Sequence, residues 1–182
     1  MEGVLSQSAC REARSAFGVK VSGPDRYELT ITPTAFTVQC SKGTPRFSGI
    51  ATSKKPKLYV VSVEGAPIYV GITKQPMRNR LRFGWSADGA HGYHGYKWRH
   101  KHERATLDVW CHEDAPNEGT LDVEIVEAEV VFLIRSRGQW PMHQTEIHFH
   151  PSEQLHRDVA AKVMETRQDV LSSAQRYPAK PD

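Results

Sequence analysis

The sequence predicts an α+β fold: a small three-stranded antiparallel sheet flanked by helices, with a β-containing segment before it and a helix after it. Three observations predict this. Two short runs rich in β-branched and aromatic residues, 58–63 and 67–72, are joined through the turn Glu64-Gly65-Ala66-Pro67, the pattern of a hairpin. A third run, Leu107-Asp108-Val109-Trp110-Cys111, alternates as a half-buried strand does. Helical periodicity then replaces strand periodicity over 121–137 and again over 153–173.

The elements follow in order. A short helix is expected between Ser8 and Phe17. Tyr27-Glu28-Leu29-Thr30-Ile31 alternates, and Ala35-Phe36-Thr37-Val38 is positioned to pair with it. Residues 41–57 are rich in Gly, Pro, Ser and Lys and read as a linker. After the hairpin, Pro76 suits the first turn of a helix reaching Phe83. The Gly- and His-rich stretch 84–95 reads as a loop, and a short basic helix is expected over 96–104. Thr120 caps the next helix, with Asp122 and Glu124 in its first turn and Arg135 and Arg137 in its last, placements that suit the helix dipole. Its expected apolar stripe is Leu121, Ile125, Ala128 and Phe132. Ser152 caps the last helix, whose apolar face carries Leu155, Val159, Val163 and Val170. Three segments result: an accessory segment and linker (1–56), a core (57–141) and an extension (142–182).

With 182 residues, 38% of them hydrophobic, the chain is long enough to bury one ordinary core. No run of about 18 apolar residues occurs, so no membrane span is expected. The N-terminus lacks the apolar stretch of a secretory signal. Cys10, Cys40 and Cys111 are scattered and odd in number, which favours a reducing, cytoplasmic setting over a disulfide framework or a zinc site. Charge is uneven: residues 54–104 hold 11 Lys/Arg against 3 Asp/Glu, while the remainder holds 13 against 18. A basic segment in an otherwise acidic chain points to a local anionic partner.

Tyr59 in the first hairpin strand, Tyr69-Val70-Gly71 in the second, Arg80-Leu81 in the helix behind them and Glu127 in the next helix come in a telling order. This arrangement resembles the GIY-YIG nuclease family, in which a strand tyrosine is followed by Tyr-(Ile/Val)-Gly, a helical Arg and a later helical Glu. The resemblance spans roughly 57–141. It departs from the family in two places. Arg80 lies nine residues after Gly71, where about eight is usual. The Pro-x-x-Asn that often closes the family's core has no Asn here, and Gln144, after Pro141-Met142-His143, is the residue available to replace it.

The resemblance implies roles. Tyr59 would help deprotonate the attacking water, and Tyr69 would contact the phosphate or orient Tyr59. Arg80 would hold the transition state, and Glu127 would bind Mg²⁺ (or Mn²⁺). His94 lies fourteen residues beyond Arg80, where some members carry a His, and is an alternative base. A free Tyr titrates near pH 10, so as a base it needs help from a cation or a metal-bound water. Arg78 and Arg82 share a helical face turned roughly 160° from Arg80. They read, with Lys97 and Arg99, as DNA contacts. A Glu among apolar residues on a buried helix is costly unless paired or metal-bound, which singles out Glu127. His143, Glu146, His148 and His150 form a competing cluster that could ligate a transition metal on a helix or a strand.

The expected function is metal-dependent hydrolysis of phosphodiester bonds in double-stranded DNA, in a restriction or phage-defence setting with partner proteins of such a system. A non-catalytic nucleic-acid-binding module on the same fold is the alternative. The apolar face of the last helix has no evident partner in so small a core, which raises a homodimer as an expectation.

Overall fold

A computed structural model describes residues 19–89, 94–113, 119–144 and 146–176. The fold is α+β, with five strands in one antiparallel sheet and three helices among the described residues. The strands are β1 (Val21–Ile31), β2 (Phe36–Cys40), β3 (Lys57–Val63), β4 (Ala66–Thr73) and β5 (Arg104–His112). The helices are α1 (Met77–Ser86), α2 (Gly119–Ser136) and α3 (Gln154–Arg176). No helix among the described residues is long and apolar enough to cross a membrane. The helix expected between Ser8 and Phe17 lies outside the described residues.

The sheet order is β2-β1-β5-β3-β4. The expected three strands are therefore only part of it. The N-terminal segment supplies two more, with β1 paired along β5 from Val21↔His112 to Thr30↔Arg104. The physical reason is the free side of β5, a row of unpaired amides and carbonyls that β1 satisfies. The expected basic helix over 96–104 shrinks to one 3-10 turn, Lys97–His100, because β5 already begins at Arg104.

Strand alternation sorts the core into two layers. Tyr27, Leu29, Tyr59, Val61, Leu107 and Val109 face Met77, Leu81 and Trp85 of α1. Leu58, Val60, Val70 and Trp110 face α2 and α3. The buried stripe of α2 runs through Val123, Val126, Val130 and Ile134; of the expected Leu121–Phe132 line only Ile125 is buried, and Phe132 is 64% exposed. Val159, Ala160, Val163 and Met164 of α3 are buried against α2 and the sheet. Val159 and Val163, two residues of the apolar face that raised a dimer, are thus covered within the chain.

Two polar sets tie the elements together, one within the sheet and one between the sheet and the helices. Asp108 is fully buried and takes a bidentate bond from Arg26, at 2.6 and 2.7 Å. At the start of α2, Asp122 lies between His112 of β5 (3.7 Å) and His156 of α3 (3.4 Å). His112, then His156, hold the Asp122 carboxyl well below the usual carboxylate range. A depressed folded-state pKa contributes stability above the ordinary carboxylate value that is lost as pH falls. Asp122→Asn should therefore lower the melting temperature at pH 6–7, with the gap from wild type closing below about pH 4. A gap that stays constant down to pH 3 in thermal melts would refute this.

Candidate active site

The site forms at an edge of the sheet, and its parts come from both faces. β4 is the edge strand. Tyr69 and Gly71 lie on it, Arg80 comes from α1 on one face, and Glu124 and Glu127 come from α2 on the other. Together with His94, Tyr96, Lys97, His143, Gln144 and Glu146 they line a cleft of about 440 Å³.

The segment after α2 closes the free edge of β4. The Val70 amide donates to Gln144 Oε1 at 3.0 Å, and the His143 amide donates to the Ile68 carbonyl at 3.0 Å. Gln144 Nε2 donates to the Glu146 carbonyl at 2.7 Å. Gln144 is thus fixed beside Glu127, where its side-chain amide favours the ionised carboxylate. Pairing an edge strand with side-chain groups leaves room for a cleft that another strand would fill.

The tyrosines divide their tasks. Tyr59 is fully buried and does not line the cleft. Its hydroxyl lies 2.9 Å from the Tyr96 hydroxyl and accepts from Arg80 Nε at 3.2 Å. Burial holds the Tyr59 phenol well above the usual range, and Tyr96 adds to this while Arg80 opposes it. Tyr69 is raised as well, first by burial and then by Tyr59. Both phenols are therefore held protonated at neutral pH. Tyr59 positions Arg80, whose guanidinium carbon lies 5.7 Å from the Tyr96 ring centroid. Gly71 makes this packing possible, because a Cβ there would come within 2.7 Å of both the Tyr59 hydroxyl and the Tyr69 ring.

Tyr96 is the site residue that sequence reasoning missed. It falls in the expected basic helix, yet it is buried and shares a hydrogen bond with Tyr59. Gly84, expected in the loop after the helix, instead lies inside α1, and a Cβ there would lie 2.2 Å from the Tyr96 ring. Glu124, expected only to suit the helix dipole, also lines the cleft.

Burial raises Glu127 to about 7, with repulsion from Glu124 and Glu146 adding to it, and Gln144 and Arg80 opposing. His94 is exposed on the cleft wall, and Lys97 lies beside it. His91 lies outside the described residues. Arg78 and Arg82 are exposed on the far side of α1. Arg99 has a different task from the expected DNA contact. It donates to the carbonyls of Gly84 (3.0 Å) and Trp85, the last turn of α1, and so caps that helix.

The cluster His143, Glu146, His148 and His150 forms neither helix nor strand. His148 pairs with Glu146 at 3.2 Å, and His150 with Glu124 at 3.2 Å. Among the described residues, no group of three or more His, Cys, Asp or Glu is arranged to hold a metal ion. A site with a single carboxylate falls outside that description, because Mg²⁺ typically takes one or two carboxylates and completes its shell with water and phosphate oxygens.

Comparison with models of known protein families, with curated proteins and with solved structures finds no match to this chain. The site's chemistry is therefore read from its own geometry. It holds one guanidinium on a tyrosine bed, one buried carboxylate and the exposed imidazoles of His94 and His148, all lining the same cleft.

Proposed function

We propose that this chain is a metal-dependent endonuclease that hydrolyses phosphodiester bonds in DNA. The observation that carries the reading is the meeting of Arg80 and Glu127 at one cleft from opposite faces of the sheet. A phosphodiester needs both signs: a fork of donors for its anionic oxygens and a carboxylate to seat a cation. The donor set fits Mg²⁺ or Mn²⁺. Glu127 is buried, sits near Glu124 and Glu146, and has its pKa raised by burial and by their charge. A divalent cation relieves that repulsion. Bound at Glu127, it would supply Lewis-acid stabilisation of the leaving oxygen.

The chain's own residues do the rest. Arg80, held by the Tyr59 hydroxyl, binds the phosphate and favours the more highly charged transition state. Tyr69 and Tyr96 line the cleft as phenol donors and exclude water from its floor. His94 accepts the proton of the attacking water, since imidazole is the side chain suited to proton exchange near neutral pH. In this reading Tyr59 orients Arg80 and is not the base. The resemblance to GIY-YIG nucleases supports the same chemistry.

The test is cleavage of supercoiled plasmid with Mg²⁺. Wild type should nick or linearise it, and Arg80→Ala and Glu127→Ala should each lose about a hundredfold or more. His94→Ala should lose more than Tyr59→Phe if His94 is the base. Cleavage that survives both Arg80→Ala and Glu127→Ala refutes the site. The second reading, a binding module, draws on the sealing of Tyr59 away from the cleft. It prevails if no DNA or RNA is cut with any divalent metal while nucleic acid still binds.

A further inference from the structure

The far side of α1 carries a second concavity that the cleft does not use. It lies between α1 and the β1–β2 hairpin and has a volume of about 370 Å³. Phe36, Phe47 and Trp85 line it, and Arg78 and Arg82 join them. Its lining contains no carboxylate. Phe36 and Phe47 are only half-buried, so part of each ring faces solvent. Phe36 and Trp85 lie 4.8 Å apart at 51°, and Phe47 meets Tyr27 edge-on at 4.7 Å. Trp85 Nε1 donates to the Thr32 carbonyl at 3.0 Å, so its polar group is satisfied and the ring is an apolar surface. Arg78 and Arg82 are exposed and form no ion pair among the described residues.

We propose that this groove binds an unstacked base of the nucleic-acid strand held in the cleft, with Arg78 and Arg82 on the flanking phosphates. The inference rests on the nuclease reading and extends it. Aromatic rings beside unpaired guanidinium groups suit a flat base attached to an anionic backbone. The placement follows from helix geometry. Arg78 and Arg82 share one face of α1, and Arg80 lies on the other, across a helix roughly 10–12 Å wide. A strand advancing about 3.4 Å per nucleotide covers that width in about three nucleotides. The base in the groove is thus about three positions from the phosphate at Arg80. Extruding it from a duplex costs little where it is unpaired or mismatched, so the groove favours substrates with a locally opened strand.

The test is fluorescence anisotropy of the full chain in EDTA, which removes cleavage from the readout. The probes are fluorescein-labelled dT15 and an abasic oligomer of equal length. Wild type should bind dT15 about tenfold more tightly than the abasic strand. Phe36→Leu, and independently Phe47→Leu, should erase most of that preference while keeping the apolar volume of the hairpin. The R78Q/R82Q double variant should weaken both probes and lower the slope of log affinity against log salt by about two. Equal wild-type affinity for the two probes, or a preference that survives Phe36→Leu and Phe47→Leu, overturns the proposal. If that happens while wild type still cuts plasmid, only the groove falls; if wild type neither binds nor cuts, the nuclease reading falls with it. Polyglutamate competing as well as dT15 would show an acidic-protein surface instead, and would also overturn it.

Discussion

Glu127→Gln should abolish divalent-dependent cleavage, by about a hundredfold or more, and at the same time make the protein more stable above neutral pH. Both effects come from one buried carboxylate. The loss of cleavage follows from removing the charge that seats the cation. The gain in stability follows from linkage. The carboxyl is raised from an ordinary 4.5 to about 7. A group raised in this way contributes stability that is fully present below pH 4.5 and is lost as pH rises through about 7. At about 1.4 kcal/mol per pH unit, that loss is roughly 3 kcal/mol by pH 8. The amide keeps the shape and never ionises. Thermal melts in EDTA should therefore show the variant above wild type at pH 8 and close to it at pH 5. Mg²⁺ should raise the wild-type melting temperature at pH 8 and leave the variant unchanged. Cleavage by wild type should climb between pH 6 and 8 as the carboxylate ionises. Coincident melts at both pH values would remove the argument for a strained carboxylate.

Asp108→Ala should cost about 3–5 kcal/mol of folding stability, the largest loss expected from one exposed-to-nothing polar position. Asp108 is fully buried, and its partner Arg26 has only 15% of its side chain exposed. Arg167 of α3 is buried nearby and feels the same negative charge, which opposes the effect of burial on its guanidinium. Removing the carboxylate takes the bidentate partner from Arg26 and the opposing charge that Arg167 feels. Replacing the pair together, as Arg26→Met with Asp108→Leu, should restore most of the loss, because an apolar pair carries no desolvation cost. Urea denaturation measures both variants. A single-variant cost under about 1 kcal/mol would show that water reaches the pair. Cleavage at low temperature should survive Asp108→Ala, because the pair links β1 and β5, and the cleft lies beyond β3 at the other edge.

Those two residues mark the limits of reading the chain as text. Glu127 was legible because its neighbours, Ile125, Val126, Val130 and Val131, are apolar, and a charge among them needs a reason. The hairpin of Tyr59 and Tyr69, the start of α1 behind Pro76 and the span of α2 were legible for a similar reason: each is written in local periodicity and turn residues. The pairing of β1 with β5 was not. Val21 and His112 are partners across half of the chain, and alternation shows that a strand has an inner face without naming its neighbour. Tyr96 escaped because its role depends on Gly84 and Gly95 bringing a loop against a helix. Arg99 misled because a cation capping carbonyls and a cation awaiting a phosphate look alike in sequence.

The two walls of the cleft belong to different layers of the fold and share only β4. The separation of guanidinium from carboxylate is therefore set by the thickness and twist of the sheet between them. A substitution that flattens the strands, even one far from either wall, alters that span while leaving both side chains in place. The tolerance of this protein to sequence drift should thus be lowest along strands that contribute no chemical group, and the record of selection on its chemistry should be written in its scaffold.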